Sequence, residues 1–276
     1  DTHSVKAREC LETALEKTPE DVESLVLMGI YWRNTAPKST DQVESQREAD
    51  AYYLKAKNLY ERAIKADPDS FDAYVELQTV YMRDAAAAFN QRDAEGLKEN
   101  IAKASQVLEE RIKRGVARTG IHQFRNRSYM AMIRWRLFQI NSWQVDRLRQ
   151  LAGNPEKAKA EYQPILAKLR RIRADYVAEA LRGEKDPRAM FMRGRVEMLA
   201  DQHATAIRAF RELEDLLEPG DLWVQTKTHL AQLYMQINQP GEAVKYLEEL
   251  VRQSPNRDAS LGLLAKALAA LPDREA

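Results

Sequence analysis

The sequence predicts an all-α protein that is built as a stack of helix–turn–helix repeats. Gly and Pro occur only 10 times each among 276 residues, which disfavours a turn-rich β fold. Apolar residues recur at intervals of three and four positions, the spacing of an amphipathic helix, along most of the chain. A proline follows several of these patterns at a constant distance, where it prevents the helix from continuing.

One half of the repeat is a spacing of small and large residues that ends in this proline. The intervals of four, three and five positions occur at Ala7, Leu11, Ala14, Pro19; Ala56, Tyr60, Ala63, Pro68; and Ala243, Leu247, Leu250, Pro255. A related set, Ala206, Phe210 and Leu213, reaches Pro219 one position late. Intervals of four and three place side chains on one helix face. The small residues then let a second helix approach, and the large residue fills the space between the two helices.

A second helical pattern, with intervals of three, one and three positions, follows these prolines. It occupies Leu25, Met28, Gly29, Trp32; Tyr74, Leu77, Gln78, Tyr81; Lys227, Leu230, Ala231, Tyr234; and Leu261, Leu264, Ala265, Leu268. The two patterns together resemble the tetratricopeptide repeat (TPR), a helix–turn–helix unit of 34 residues. The resemblance covers residues 5–33, 56–82 and 187–270, and it implies a right-handed α-solenoid of TPR-type repeats.

Two stretches depart from this register. Residues 34–46 are surplus to the pattern and polar, which predicts an inserted loop that extends the following helix. Such an insertion is either a tolerated solvated loop or a binding element. Residues 83–186 keep helical periodicity without the register, which predicts lengthened, degenerate repeats with longer, irregular helices. No linker-like composition interrupts the chain, so we expect one superhelical domain over residues 1–276.

Long helices are predicted at three places in the middle of the chain. The first is marked by apolar residues from Leu97 to Ile112, and the second runs from Ile121 to about Arg149. The third opens at Asn154, an N-cap residue that is followed by proline at the first helical position.

The net charge of +1 conceals an uneven distribution. Residues 1–110 hold 14 Lys/Arg and 22 Asp/Glu, whereas residues 111–149 hold ten Lys/Arg and one acid. The basic segment 111–149 interleaves arginines with aromatics, a composition that can grip phosphates and stack on bases. This candidate polyanion patch consists of Arg125, Arg136, Arg147, Trp135 and Trp143. Alternatively, its aromatics belong to the core and its arginines pair with the acidic N-terminal part of the chain.

The sequence carries no recognisable catalytic or metal-binding pattern. Its four histidines are far apart, without a Cys or carboxylate cluster at ligand spacing, and it has no glycine-rich phosphate loop or nucleophile elbow. We therefore predict no enzyme, no cofactor and no metal.

The N-terminus lacks a signal-peptide pattern, and no stretch approaches the roughly 18 apolar residues of a membrane helix. A soluble chain of unspecified compartment and oligomeric state is expected.

In the family that the sequence resembles, the first helix of each repeat lines a concave groove for a peptide or partner protein. The corresponding positions are Val26, Ile30, Arg33, Asn34; Val75, Thr79, Met82, Arg83; Arg188, Phe191, Arg195, Met198; and Gln225, Thr228, Gln232, Met235. Arg33, Arg83 and Arg195 suggest an acidic or amphipathic peptide, since guanidinium groups fork onto carboxylates. The predicted function is a protein–protein interaction scaffold within a larger protein or complex. The alternative is a repeat protein that binds RNA or another polyanion through residues 111–149.

Overall fold

The computed structural model describes residues 2–37, 43–115, 121–152, 154–180, 182–253 and 258–271. Within these ranges, the side chains that are not described are those of residues 2–4, 43–46, 121–126, 155, 157, 258 and 259. Every regular element of the described chain is helical, which confirms the predicted all-α class. None of the described helices is long and apolar enough to cross a membrane.

The helices form two compact units, Asp1–Gly153 and Asn154–Ala276. Unit 1 contains α1 (Thr2–Lys17), α2 (Val22–Thr35), α3 (Val43–Ala66), α4 (Phe71–Asn90), α5 (Ala94–Lys113) and α6 (Ile121–Leu151). Unit 2 contains α7 (Pro155–Glu179), a 3₁₀ turn (Gly183–Lys185), α8 (Pro187–Leu199), α9 (His203–Glu214), α10 (Asp221–Gln236), α11 (Pro240–Gln253) and α12 (Asp258–Ala269). The single domain expected over residues 1–276 stays a prediction.

Within each unit the helices pair in chain order. In unit 1, α2 packs on α3 and α4 on α5, while α2 and α4, the first helices of consecutive pairs, also contact each other. In unit 2, α8 packs on α9 and α10 on α11, and α8 contacts α10 in the same way. This is the helix–turn–helix repeat that the sequence predicts.

A glycine of the first helix and an aromatic residue of the second allow the close packing within a pair. The ring of Tyr60 on α3 lies directly over Gly29 on α2, and Tyr60 is fully buried. In unit 2 the ring of Phe210 on α9 lies over Gly194 on α8, where an added Cβ atom would be 2.8 Å from ring atom Cε1. The same contact recurs at the same repeat position. It explains why a small residue of the first helix is matched by a large aromatic residue of the second.

The inserted stretch is partly helical. α2 ends at Thr35 and α3 already begins at Val43, so the last residues of the predicted insertion form the first turn of a 24-residue helix. Residues 38–42, which belong to the same predicted loop, lie outside the described residues. The expected extension of the following helix is therefore present.

The predicted long helices of the middle are also present. α6 has 31 residues and α7 has 25. The side-chain oxygen Oδ1 of Asn154 accepts the backbone N–H of Glu156 at 2.9 Å, as an N-cap residue does. Asp186 caps α8 in the same way by accepting the N–H of Arg188 at 2.9 Å, and Pro187 occupies the first helical position.

Candidate peptide-binding groove

A cavity of about 450 Å³ lies between the first helices α2 and α4 of unit 1. We call it the α2/α4 groove; its lining consists of Val22, Glu23, Val26, Leu27, Ile30, Ser70, Asp72 and Glu76. Its volume is within the range of sites that bind small ligands or single side chains of a partner. Two consecutive first helices form its walls, and two of the groove positions predicted for unit 1, Val26 and Ile30, belong to its lining.

The first turn of α2 is fixed by its N-cap. The carboxylate of Asp21 accepts the backbone N–H of Ser24 at 2.9 Å. Hydrogen bonds from Ser24 hold the pKa of Asp21 below its ordinary value, so this carboxylate stays ionised near the groove. From this turn onwards, Val22, Val26 and Ile30 follow at intervals of four and form one apolar stripe along α2.

The groove combines an apolar floor with an acidic edge. Val26 is only 6% exposed and Ile30 is half-buried, whereas Leu27 is 45% exposed. Glu23 and Asp72 are exposed to solvent and lie in the first turns of α2 and α4. Every ionisable side chain in the described lining is a carboxylate.

The third carboxylate of the lining is neutralised within the unit. Arg33 of α2 forms an ion pair with Glu76 of α4, and their side chains are 21% and 19% exposed. This pair ties the two first helices together. Glu23 and Asp72 therefore remain as the solvent-facing charges of the groove.

The other predicted groove positions of unit 1 differ in exposure. Val75 is buried, Thr79 and Met82 are half-buried, and Asn34 is exposed. Arg83 forms ion pairs with Asp50 and Asp84. Its guanidinium group also lies 4.5 Å from the ring centroid of Tyr53.

In unit 2 the predicted positions are more buried on α8 than on α10. Phe191, Arg195 and Met198 of α8 are buried, whereas Arg188 is exposed. The four positions of α10 are all half-buried: Gln225, Thr228, Gln232 and Met235. His229, which the sequence analysis did not select, lies 5.6 Å from the ring centroids of both Phe191 and Phe210.

These contacts argue against the expectation of an acidic peptide held across Arg33, Arg83 and Arg195, which stays untested. Arg33 and Arg83 are engaged by carboxylates of their own unit. Arg195 is only 6% exposed, and its Nη1 atom lies 3.5 Å from the sulfur of Met198. The acidic edge was not predicted from the sequence, although Glu23 and Asp72 occupy the same position of consecutive repeats.

The two tryptophans of the candidate polyanion patch are half-buried and contact phenylalanines of unit 1. Trp143 lies edge-on to Phe89 at 6.4 Å, and Trp135 stacks on Phe138 at 6.3 Å. The guanidinium group of Arg147 lies 4.5 Å from the ring centroid of Phe89 and 5.1 Å from that of Trp143. These contacts favour the interpretation in which the aromatics belong to the core.

The arginines of the basic segment 111–149 are placed in several environments. Arg111 is 5% exposed, donates a hydrogen bond to the carbonyl of Gly115 at 3.2 Å and lies 3.7 Å from the carboxylate of Asp69. Arg136 is half-buried, and the side chain of Arg125 lies outside the described residues. The contact with Asp69 is of the kind expected if this segment pairs with the acidic N-terminal part.

Comparisons with known proteins agree with the repeat. Residues 224–257, which begin in α10 and continue through α11, match the family model described as tetratricopeptide repeat. No curated protein sequence gives a match to this chain. The fold is similar to that of PilW, described as a widely conserved type IV pilus biogenesis factor, with a TM-score of 0.53 and 13% identity over 96% of this chain and 90% of that chain.

A further likeness is to TTC0263, a thermophilic TPR protein of Thermus thermophilus. It has a TM-score of 0.49 and 16% identity over 90% of this chain and 99% of that chain. At such identities these likenesses concern the fold alone.

Proposed function

Because residues 224–257 match the tetratricopeptide-repeat family and the described helices pair as such repeats do, we propose that the chain is a scaffold that holds a peptide or partner protein between its first helices. Solenoids of such repeats use extended concave surfaces for binding. The observation that carries the proposal is the α2/α4 groove, an open cavity of about 450 Å³ between consecutive first helices.

The composition of the groove is suited to binding a partner and not to catalysing a reaction. Its floor, formed by Val22, Val26 and Ile30, can bury an apolar portion of the partner. Full burial of one aliphatic side chain contributes about 1.5–3 kcal/mol. The hydroxyl of Ser70 is already used as the N-cap of α4, where it accepts the N–H of Ala73. We therefore propose a binding role and not a catalytic one.

The walls of the groove are held in place before a partner arrives. The Arg33–Glu76 ion pair joins α2 to α4, and the buried residues Leu25, Ala63 and Ala73 connect both helices with α3. A groove whose walls are already ordered loses little conformational entropy when it is filled.

Selection of peptides from a random library with the full chain as bait tests the proposal. The enriched peptides are synthesised and their dissociation constants measured by fluorescence anisotropy with the wild type, Leu27→Ser and Leu216→Ser. Leu27 is 45% exposed in the groove, and the control Leu216 is 59% exposed between α9 and α10. We expect Leu27→Ser to weaken binding by roughly tenfold, the equivalent of one lost apolar contact, and Leu216→Ser to leave it unchanged.

Two results would contradict the proposal. One is the failure of any peptide to be enriched, and the other is equal affinity for the wild type and Leu27→Ser. Salt-sensitive binding of single-stranded RNA in place of peptides would favour the alternative function through the basic segment 111–149.

A further inference from the structure

The charge of the α2/α4 groove limits which partner can occupy it. Glu23 and Asp72 are exposed acids of its lining, whereas Glu76 is neutralised by Arg33. A concave surface that carries one sign of charge above apolar walls concentrates the potential within it. An acidic segment would be repelled there, because like charges brought together cost free energy.

The apolar stripe excludes a second class of occupant. A bare divalent cation prefers a shell of six or more oxygen ligands, but the floor beneath the carboxylates is made of Val22, Val26 and Ile30. A wholly apolar side chain would fill the floor and would also partly desolvate Glu23 and Asp72 without offering them a partner.

A lysine or arginine side chain complements both the apolar floor and the acidic edge of the groove. Their aliphatic stems pack along apolar surface while the charged end reaches polar groups. A guanidinium group in addition forms bidentate hydrogen bonds with a carboxylate. The exposed Leu27 at the edge of the groove provides a contact for an apolar residue next to the cationic one.

We infer that the α2/α4 groove binds a cationic, amphipathic segment of the partner protein, with a lysine or arginine stem along Val26 and Ile30 and its charge at Glu23 and Asp72. This inference rests on the proposed function and specifies the chemistry of the occupant. The partner's cation completes an electrostatic surface that the protein itself leaves negative.

The two acids also have a local role that the experiment must separate from binding. Glu23 and Asp72 lie in the first turns of their helices, where a carboxylate interacts favourably with the helix dipole. A matched control is available because Glu95 and Glu156 occupy the first turns of α5 and α7 and lie outside the described lining of the groove. Neutralising either pair removes the same charge and the same dipole interaction; the control also removes the exposed ion pair between Glu95 and Lys98, a contact that contributes little to stability.

The test uses the full chain and the same random-peptide library. We expect the enriched peptides to contain a lysine or arginine beside an apolar residue. Their affinity, measured by anisotropy at low and high salt, should fall roughly tenfold in the double variant Glu23→Gln/Asp72→Asn, since two charge-assisted contacts are lost. The salt dependence should fall with it. The control double variant Glu95→Gln/Glu156→Gln should bind like the wild type.

Charge reversal gives a second, independent readout. The double variant Glu23→Lys/Asp72→Lys should select acidic peptides from the library. Peptides that require Leu27 but show no preference for lysine or arginine would overturn the inference and leave the proposed function intact. Equal loss of affinity in both neutralised double variants would also overturn it, because the effect would then come from the helix termini. Failure to enrich any peptide would instead count against the proposed function.

Discussion

The contact between a glycine and an aromatic ring sets the distance between two paired helices. The ring of Tyr60 occupies the space that a side chain at Gly29 would need, and Phe210 does the same at Gly194. Helix propensity alone would favour alanine at both glycines. Close packing therefore overrides local preference at this repeat position.

The first prediction compares two glycines inside helices. Gly29→Ala should lower the free energy of unfolding by about 1–3 kcal/mol, because the new methyl group overlaps the ring of Tyr60 and forces the helices apart. Gly262→Ala in α12 is the control, since among the described residues no atom beyond the adjoining helix backbone lies within 4 Å of its added Cβ. It should stabilise the protein by up to about 1 kcal/mol. Urea denaturation of both variants measures these changes, and a stabilised Gly29→Ala would refute the packing argument.

The second prediction concerns acid sensitivity. Burial between Phe191 and Phe210, together with the charge of Arg195, lowers the pKa of His229 from 6.5 to about 3. Below pH 6.5 the unfolded chain takes up a proton at this residue that the folded chain does not. Stability is therefore fully present above pH 6.5 and falls by up to about 1.4 kcal/mol per pH unit towards pH 3.

Replacement of the imidazole isolates this contribution. The free energy of unfolding of His229→Gln should change less between pH 7 and pH 4 than that of the wild type, whatever its value at pH 7. Parallel curves for the two proteins would exclude His229 as the source of the acid sensitivity.

At the scale of the helices, a single buried lysine joins three elements of unit 2. Lys227 of α10 is 5% exposed and pairs with Glu214 of α9 and, at 2.7 Å, with Glu249 of α11. Its ammonium group also lies 5.2 Å from the ring centroids of Trp223 and Tyr246. The sequence places this lysine at a core position of the repeat, and its two carboxylate partners compensate its burial.

The third prediction tests this junction. Lys227→Met keeps the aliphatic stem and removes the charge, so that Glu214 and Glu249 lose their shared partner. We expect a loss of about 1–3 kcal/mol in the free energy of unfolding. Lys245→Met removes a pair with Glu242 that lies on the surface of α11, and this control should change stability by less than about 0.5 kcal/mol. Equal stability of the two variants would show that the buried pairs contribute no more than the surface pair.

For the whole molecule, the presence of two compact units raises the question of how far along the chain a single substitution affects stability. Stacked repeats contact their neighbours, so their stability is approximately a sum of local and nearest-neighbour terms. Gly29 in unit 1 and Gly194 in unit 2 have the same local role in different units. They form a matched pair for measuring the cooperativity of the chain.

The fourth prediction uses hydrogen exchange of the full chain. Gly29→Ala should reduce amide protection most in α2 and α3, and Gly194→Ala most in α8 and α9, because opening spreads from the perturbed pair to its neighbours. Equal loss of protection in both units for either variant would contradict this local response. It would support the single domain predicted over residues 1–276.

The sequence alone predicted the helices and their pairing, because the signals for both are short-range. Periodicities of three and four, the cap residue Asn154 and the recurring prolines act within a few positions of the helices that they define. The small and large residues of the repeat predicted that paired helices approach closely, and Gly29 and Tyr60 form such a contact. The length of α6 followed from an uninterrupted helical pattern.

The charge of the candidate site depends on contacts that local patterns do not encode. Arg33 stands at a predicted groove position, and its pairing with Glu76 joins residues 43 positions apart. The pairing neutralises Arg33 and leaves Glu23 and Asp72 as the exposed charges of the α2/α4 groove. The charge expected of the partner therefore changes from negative to positive. Residue spacing thus predicted the first helices that flank the proposed groove, because helical periodicity is local. The tertiary packing of α2 against α4 determined its chemistry, because the net charge of a surface depends on which side chains neutralise one another in space.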